Sequence, residues 1–120
     1  MMRRRLTMIA TVLVVMTAVF TAGSAGAASP IRAVKGTSGF HWAPSTVHTA
    51  AGTRIVWKAV TGVHTVTAYG GKWKKNTMLR AGGTTSFTFQ SRGVYHFRCR
   101  FHSVLVNGVC RGMCGQVVVT

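Results

Sequence analysis

The chain contains neither aspartate nor glutamate. Without carboxylates it cannot build the oxygen-ligand cages that calcium and magnesium require, and no side-chain ion pair can form anywhere in it. Against that absence stand 15 lysines and arginines, for a formal charge of +15 at pH 7. A surface of one sign repels itself and attracts acidic partners. Also missing are a long helical period, an internal repeat, a low-complexity tract and a long linker. The basic residues are dispersed apart from "GKWKKN" (Lys72, Lys74, Lys75), and no nucleic-acid recognition motif accompanies them. Nucleic acid is therefore a poor fit as partner.

The N-terminus reads as a targeting segment. Arg3, Arg4 and Arg5 form a basic start, Leu6 to Phe20 is a nearly unbroken apolar run, and Ala25-Gly26-Ala27 has the small-x-small form of a cleavage site. The expectation is a signal peptide over residues 1–28, cleaved after Ala27 or Ala28, with the protein exported to a secreted, periplasmic or cell-envelope location. An uncleaved anchor is the alternative, although the strict apolar run falls short of the ~20 residues that span a bilayer. Without the three n-region arginines, the 15 cationic residues fall to 12 on residues 29–120. That segment is long enough for one domain with one core.

Export implies an oxidising compartment, and three cysteines are an odd number. If Cys110 pairs with Cys114, Cys99 is left as a free thiol; if Cys99 is bridged, a stray thiol remains elsewhere. Within the domain, short stretches rich in Val, Thr, Phe and Tyr lie between Gly, Pro and Ser. "TRIVWKAV" sets Ile55 and Trp57 on one face, "TTSFTFQ" points Phe87 and Phe89 inward, and "GVYHFRCR" aligns Tyr95, Phe97 and Cys99 opposite His96 and Arg98. This period-two alternation predicts half-buried antiparallel strands. The expected fold is an all-β sandwich of about seven to eight strands, led by a frayed segment from Ala28 to Ala33.

Cys99 and His102 are separated by two intervening residues, Met113 follows in "RGMCGQVVVT", and His64 stands upstream in "TGVHTVTA". Two imidazoles, a thiolate and a thioether form the ligand set of a blue-copper electron-transfer site. A Cys/His protease is a worse reading. Cys99 and His102 are too close in sequence, and no orienting group is suggested. His41, His48 and His96 read as surface or structural histidines. Met78 reads as a packing residue that could replace Met113 as thioether, and Trp42, Trp57 and Trp73 read as packing aromatics.

From about Val34 to Thr120 the chain resembles the cupredoxins of plastocyanin and pseudoazurin type. "FHWAPSTVHTAAGTRIVWKAV" is similar to the family's opening segment, with Pro44, Gly52, Thr53 and Trp57 in place; "VHTVTA" resembles the first-histidine segment. "GVYHFRCRFH" resembles the cysteine strand and ligand loop, and "GMCGQVVV" the closing strand. The resemblance implies a Greek-key β-sandwich that binds one copper ion and carries single electrons without being an enzyme. It assigns His64, Cys99 and His102 as equatorial ligands and Met113 as the axial one, with His102 as the electron port. Phe101, Val104 and Leu105 would form a docking patch ringed by Arg98, Arg100 and Arg111. The stretch from His102 to Met113 is longer than the family's, and a Cys110–Cys114 disulfide would stiffen it. Should Met113 not ligate, a three-coordinate site or a backbone or solvent ligand remains open. The expected protein is a monomer with an acidic redox partner or an anionic envelope surface and no small-molecule substrate. Copper delivery or buffering is one competing role; a metal-free basic domain binding anionic polymers is another.

Overall fold

A computed structural model describes residues 14–17 and 29–120. The expected signal segment, residues 1–28, lies outside the described residues except for 14–17. Nine strands are present among the described residues: β1 (Ile31–Gly36), β2 (Gly39–Ala43), β3 (Thr46–Thr49), β4 (Arg54–Ala59), β5 (His64–Tyr69), β6 (Asn76–Leu79), β7 (Thr84–Thr88), β8 (Gly93–Val106) and β9 (Val109–Val119). They form two sheets, in the orders β2-β1-β4-β7 and β3-β9-β8-β5-β6. Most pairs are antiparallel, but β1 joins β4 and β3 joins β9 in parallel.

The core forms where the inward faces of the two sheets meet, as the alternation predicts. Ile55 and Trp57 come from β4, Val66 from β5, Tyr95, Phe97 and Cys99 from β8, and Val117 and Val119 from β9; all are buried. Trp57 stacks on Trp73 at 6.0 Å between ring centroids and meets the Phe97 ring edge-on at 5.3 Å. Such aromatic pairs add to the ~150–250 Å² that each ring buries. Trp73 also donates its indole N–H to the His96 carbonyl at 2.9 Å. His96 points outward, as its place in the alternation requires, and stacks on Tyr69.

The N-terminal lead-in differs from expectation. Ile31 and Ala33 are fully buried and open a six-residue strand, so residues 31–33 are structured and not frayed. Its short alternation, apolar at 31 and 33 and basic at 32, is the same signal read elsewhere, and pairing with both β2 and β4 fixes it.

The stretch after His102 also differs. It is a β-hairpin continuing β8 into β9, from Ser103 opposite Gly112 to Val106 opposite Val109. Asn107 and Gly108 close it with positive φ at both residues, 50° and 75°. That is the backbone of a two-residue type I′ turn, for which Asn-Gly is the favoured sequence. We refer to residues 103–112 as the arm.

Candidate metal centre

The ladder between β8 and β9 is regular up to Arg98 opposite Cys114 and resumes at Ser103 opposite Gly112. Between these pairs, the four residues Cys99 to His102 face the single residue Met113. The ligand loop is thus a large bulge inside one hairpin, not a loop that follows a finished strand. A bulge bends the strand and re-aims its side chains. Here it brings Cys99 and His102, three residues apart, to the same small region at the end of the sandwich.

Gly112 makes the return path possible. Its φ is +100°, and a Cβ there would collide with the His102 carbonyl. Two residues on, Cys114 bonds to Cys110. Four residues of extended strand cover about 13 Å, but these two Cα atoms are 6.1 Å apart. β9 therefore turns sharply around Gly112 and Met113, and the disulfide closes that turn. Cys99 is left as the free cysteine, buried.

The potential ligand atoms of His64, Cys99 and His102 all lie within 4.8 Å of one another. The Cys99 sulfur is 3.8 Å from His64 Nδ1 and 3.3 Å from His102 Nδ1. A single ion bridges such separations when its bonds to nitrogen and sulfur are ~2.0–2.3 Å long. His64 and Cys99 are both fully buried, and His102 is half-buried. Burial, followed by the charge of His64, pushes the pKa of His102 below the ordinary histidine value.

The surrounding residues orient the donors. His64 Nε2 donates to the Thr61 carbonyl at 2.7 Å, which leaves the Nδ1 lone pair directed at the cluster. Metal-binding histidines characteristically use the second nitrogen in this way. The Thr65 amide donates to the Cys99 sulfur at 3.4 Å and helps fix its position. Thr65 Oγ1 in turn accepts the Arg100 amide at 2.9 Å and ties the bulge to β5. Ser103 Oγ donates to the Cys99 carbonyl, and Arg98 Nη1 donates to Ser103 Oγ at 3.2 Å. Arg98 thus braces the base of the arm. Phe40 lies against both imidazoles, with ring centroids 4.7 Å from His64 and 4.6 Å from His102.

Met113 is fully buried in the bulge opposite Cys99 to His102, whereas Met78 lies on β6 and is 55% exposed. His41 and His48 are exposed and are not part of the cluster. Sequence reasoning missed Thr65, Ser103 and Phe40. Alternation from His64 places Thr65 outward, and nothing in its spacing showed that the bulge would cover it. Phe40 reaches the site from the opposite sheet, so no local pattern marks it.

No family model and no curated protein matches the chain. Solved structures do. A purple cupredoxin from Nitrosopumilus maritimus matches with TM-score 0.60 at 20% identity, over 78% of this chain and 100% of that one. The reduced form of a tryptophan-to-tyrosine variant of amicyanin matches with TM-score 0.61 at 21% identity, over 82% of this chain and 88% of that one. The Cu(I) form of a methionine-to-alanine variant of amicyanin gives 0.56 at 20% identity, over 76% and 82%. The chain has the cupredoxin fold, and the His-Cys-His cluster lies within it.

Proposed function

We propose that the protein is an exported type 1 copper protein carrying single electrons on one bound copper ion. One observation carries the reading: a buried free cysteine lies between two imidazole Nδ1 atoms in a cupredoxin fold. The donor set fits copper by its chemistry, a soft thiolate with two imidazoles and no carboxylate. His64, Cys99 and His102 would hold the ion, and the buried thioether-bearing Met113 would be the weak axial ligand. When bound, copper supplies a one-electron couple between Cu(I) and Cu(II). The amicyanin neighbours include a Cu(I) form.

The protein's contribution is to hold its donors still. Thr61 fixes the His64 ring, Thr65 fixes the Cys99 sulfur and the bulge, and Phe40 packs on both imidazoles. Donors held in this way would move little between Cu(I) and Cu(II), so electron transfer would need little reorganisation. The same rigidity favours a carrier over a delivery protein, which must release its ion. His102, the half-buried member, would pass the electron. No substrate is transformed in this reading, and the cationic surface keeps copies of the chain apart as monomers. Residues 1–28 would be the signal peptide, removed near Ala27 on export, leaving residues 29–120 as the copper domain. An electron partner for this chain would present acidic groups.

The test is the visible spectrum of the domain after one equivalent of Cu(II). An intense blue or purple thiolate-to-copper band is expected. Cys99→Ser should abolish the band while far-UV circular dichroism stays unchanged. A folded domain with a free thiol and no band would overturn the reading.

A further inference from the structure

The arm has two faces, and the disulfide determines which one looks outward. Cys110 bonds to Cys114, and Cys114 lies across from Arg98 on the outward face of the sheet. The face of the arm that carries Cys110, and Leu105 opposite it, is therefore turned toward the sheet. By alternation the other face carries Val104, Val106, Val109 and Arg111. Exposure agrees: Val104 is 59% exposed, Val106 49% and Val109 59%, against 39% for Leu105. Three valines thus form an exposed patch next to Arg111, on an arm whose tip at Gly108 and Val109 shares an open cleft with Tyr69, Gly70, Lys72 and His96 of the sheet. Phe101, 55% exposed, and the exposed Arg100 lie at its base.

We propose that this valine face is an anchor that inserts into the interface of an anionic lipid membrane. Interfacial elements bind through an apolar face set beside basic residues, and each cation near an anionic bilayer adds attraction. The arm supplies the first and Arg100 and Arg111 the second, while a chain without carboxylates offers no repulsion in any orientation. A second copy is a poor occupant, since it brings the same positive charge. A protein partner fits less well than lipid. The patch is all valine with no tyrosine or tryptophan, whereas energetic anchors of protein interfaces are chiefly Trp, Tyr and Arg and valine is under-represented. The type I′ turn also pairs the hairpin tip's backbone internally, which lowers the cost of taking it out of water. Insertion by the arm needs no metal.

The test uses residues 29–120, which contain every described strand and the whole core, so the apolar N-terminal run does not contribute. Partition is measured to phosphatidylcholine vesicles with and without phosphatidylglycerol. The variant Val104→Thr/Val106→Thr/Val109→Thr keeps the charge and the β-branched ribbon and removes only apolar surface. It should bind the anionic vesicles at least about tenfold more weakly than wild type, and raised salt should abolish its binding while leaving a residue of the wild type's. Equal binding by wild type and variant would mean that charge alone holds the protein, and would overturn the proposal. Absence of vesicle binding by the wild type would overturn it in favour of an acidic protein at this face. As a reporter, Val106→Trp should shift its emission to the blue on anionic vesicles, because the native tryptophans are buried. An unmoved spectrum would count against insertion.

Discussion

His64 and His102 contribute the same donor atom to one cluster, but they are held by different parts of the molecule. His64 is fully buried, opens a strand in the body of the sandwich, and has its second nitrogen bonded to a carbonyl. His102 is half-buried in a bulge, and its neighbours on one side form the arm. The sandwich is stabilised by burial that involves nearly every strand. The arm is a two-stranded ribbon, and such ribbons are marginal alone. Its order comes from a type I′ turn, the Arg98–Ser103 contact and one disulfide. One centre thus joins a rigid half to a locally braced half.

The largest effect should come from damaging the rigid half. Phe97 is fully buried, against both Trp42 and Trp57. Phe97→Ala should cost about 3–5 kcal/mol of unfolding free energy. The denaturation midpoint should fall for the whole domain, arm included, since the arm cannot stay ordered without its base. A loss under about 1 kcal/mol would mean that the core does not carry the stability assigned to it.

A smaller and local effect should follow from releasing the arm. The Cys110–Cys114 bridge closes a loop of five residues, for which loop entropy gives about 2 kcal/mol. Cys110→Ala/Cys114→Ala should cost no more than that. Amide exchange should quicken in Ser103 to Gly112 and stay slow in β4 and β5. If copper binds as proposed, the variant should also shift the absorption of the site, because Met113 sits between the two cysteines. Uniform loss of protection across both sheets would show that the two halves are not separable.

The same division explains what the sequence could reveal. Alternation in "TRIVWKAV" and "GVYHFRCR" placed Ile55, Trp57, Tyr95, Phe97 and Cys99 inside, and they are inside. The cysteine count allowed Cys110 to pair with Cys114 and leave Cys99 free, and so they do. Period-two patterning works where one strand face meets water and the other the core. It fails at the arm, where both faces are exposed or nearly so and the apolar run "VLV" has no period. The legible signal there was Asn107-Gly108, two residues that favour the turn observed. The added length after His102 is therefore a hairpin and not a loose loop. The contacts of Phe40 and Thr65 with the centre depend on how two sheets and a bulge come together, and no local spacing encodes that.

The smallest expected effect is the pH dependence that His102 contributes to stability. Burial and the nearby charge of His64 hold His102 below the ordinary histidine value of 6.5, so the folded metal-free domain binds that proton less readily than the unfolded chain. As pH falls through the ordinary value, the unfolded state takes up more protons and stability declines; below the lowered folded value the loss levels off. The urea midpoint of the metal-free domain should therefore be lower at about pH 5 than at about pH 7.5. His102→Gln keeps a polar side chain of similar size without a titrating ring and should flatten part of that difference. Equal slopes in wild type and His102→Gln would remove His102 as the source of the pH dependence.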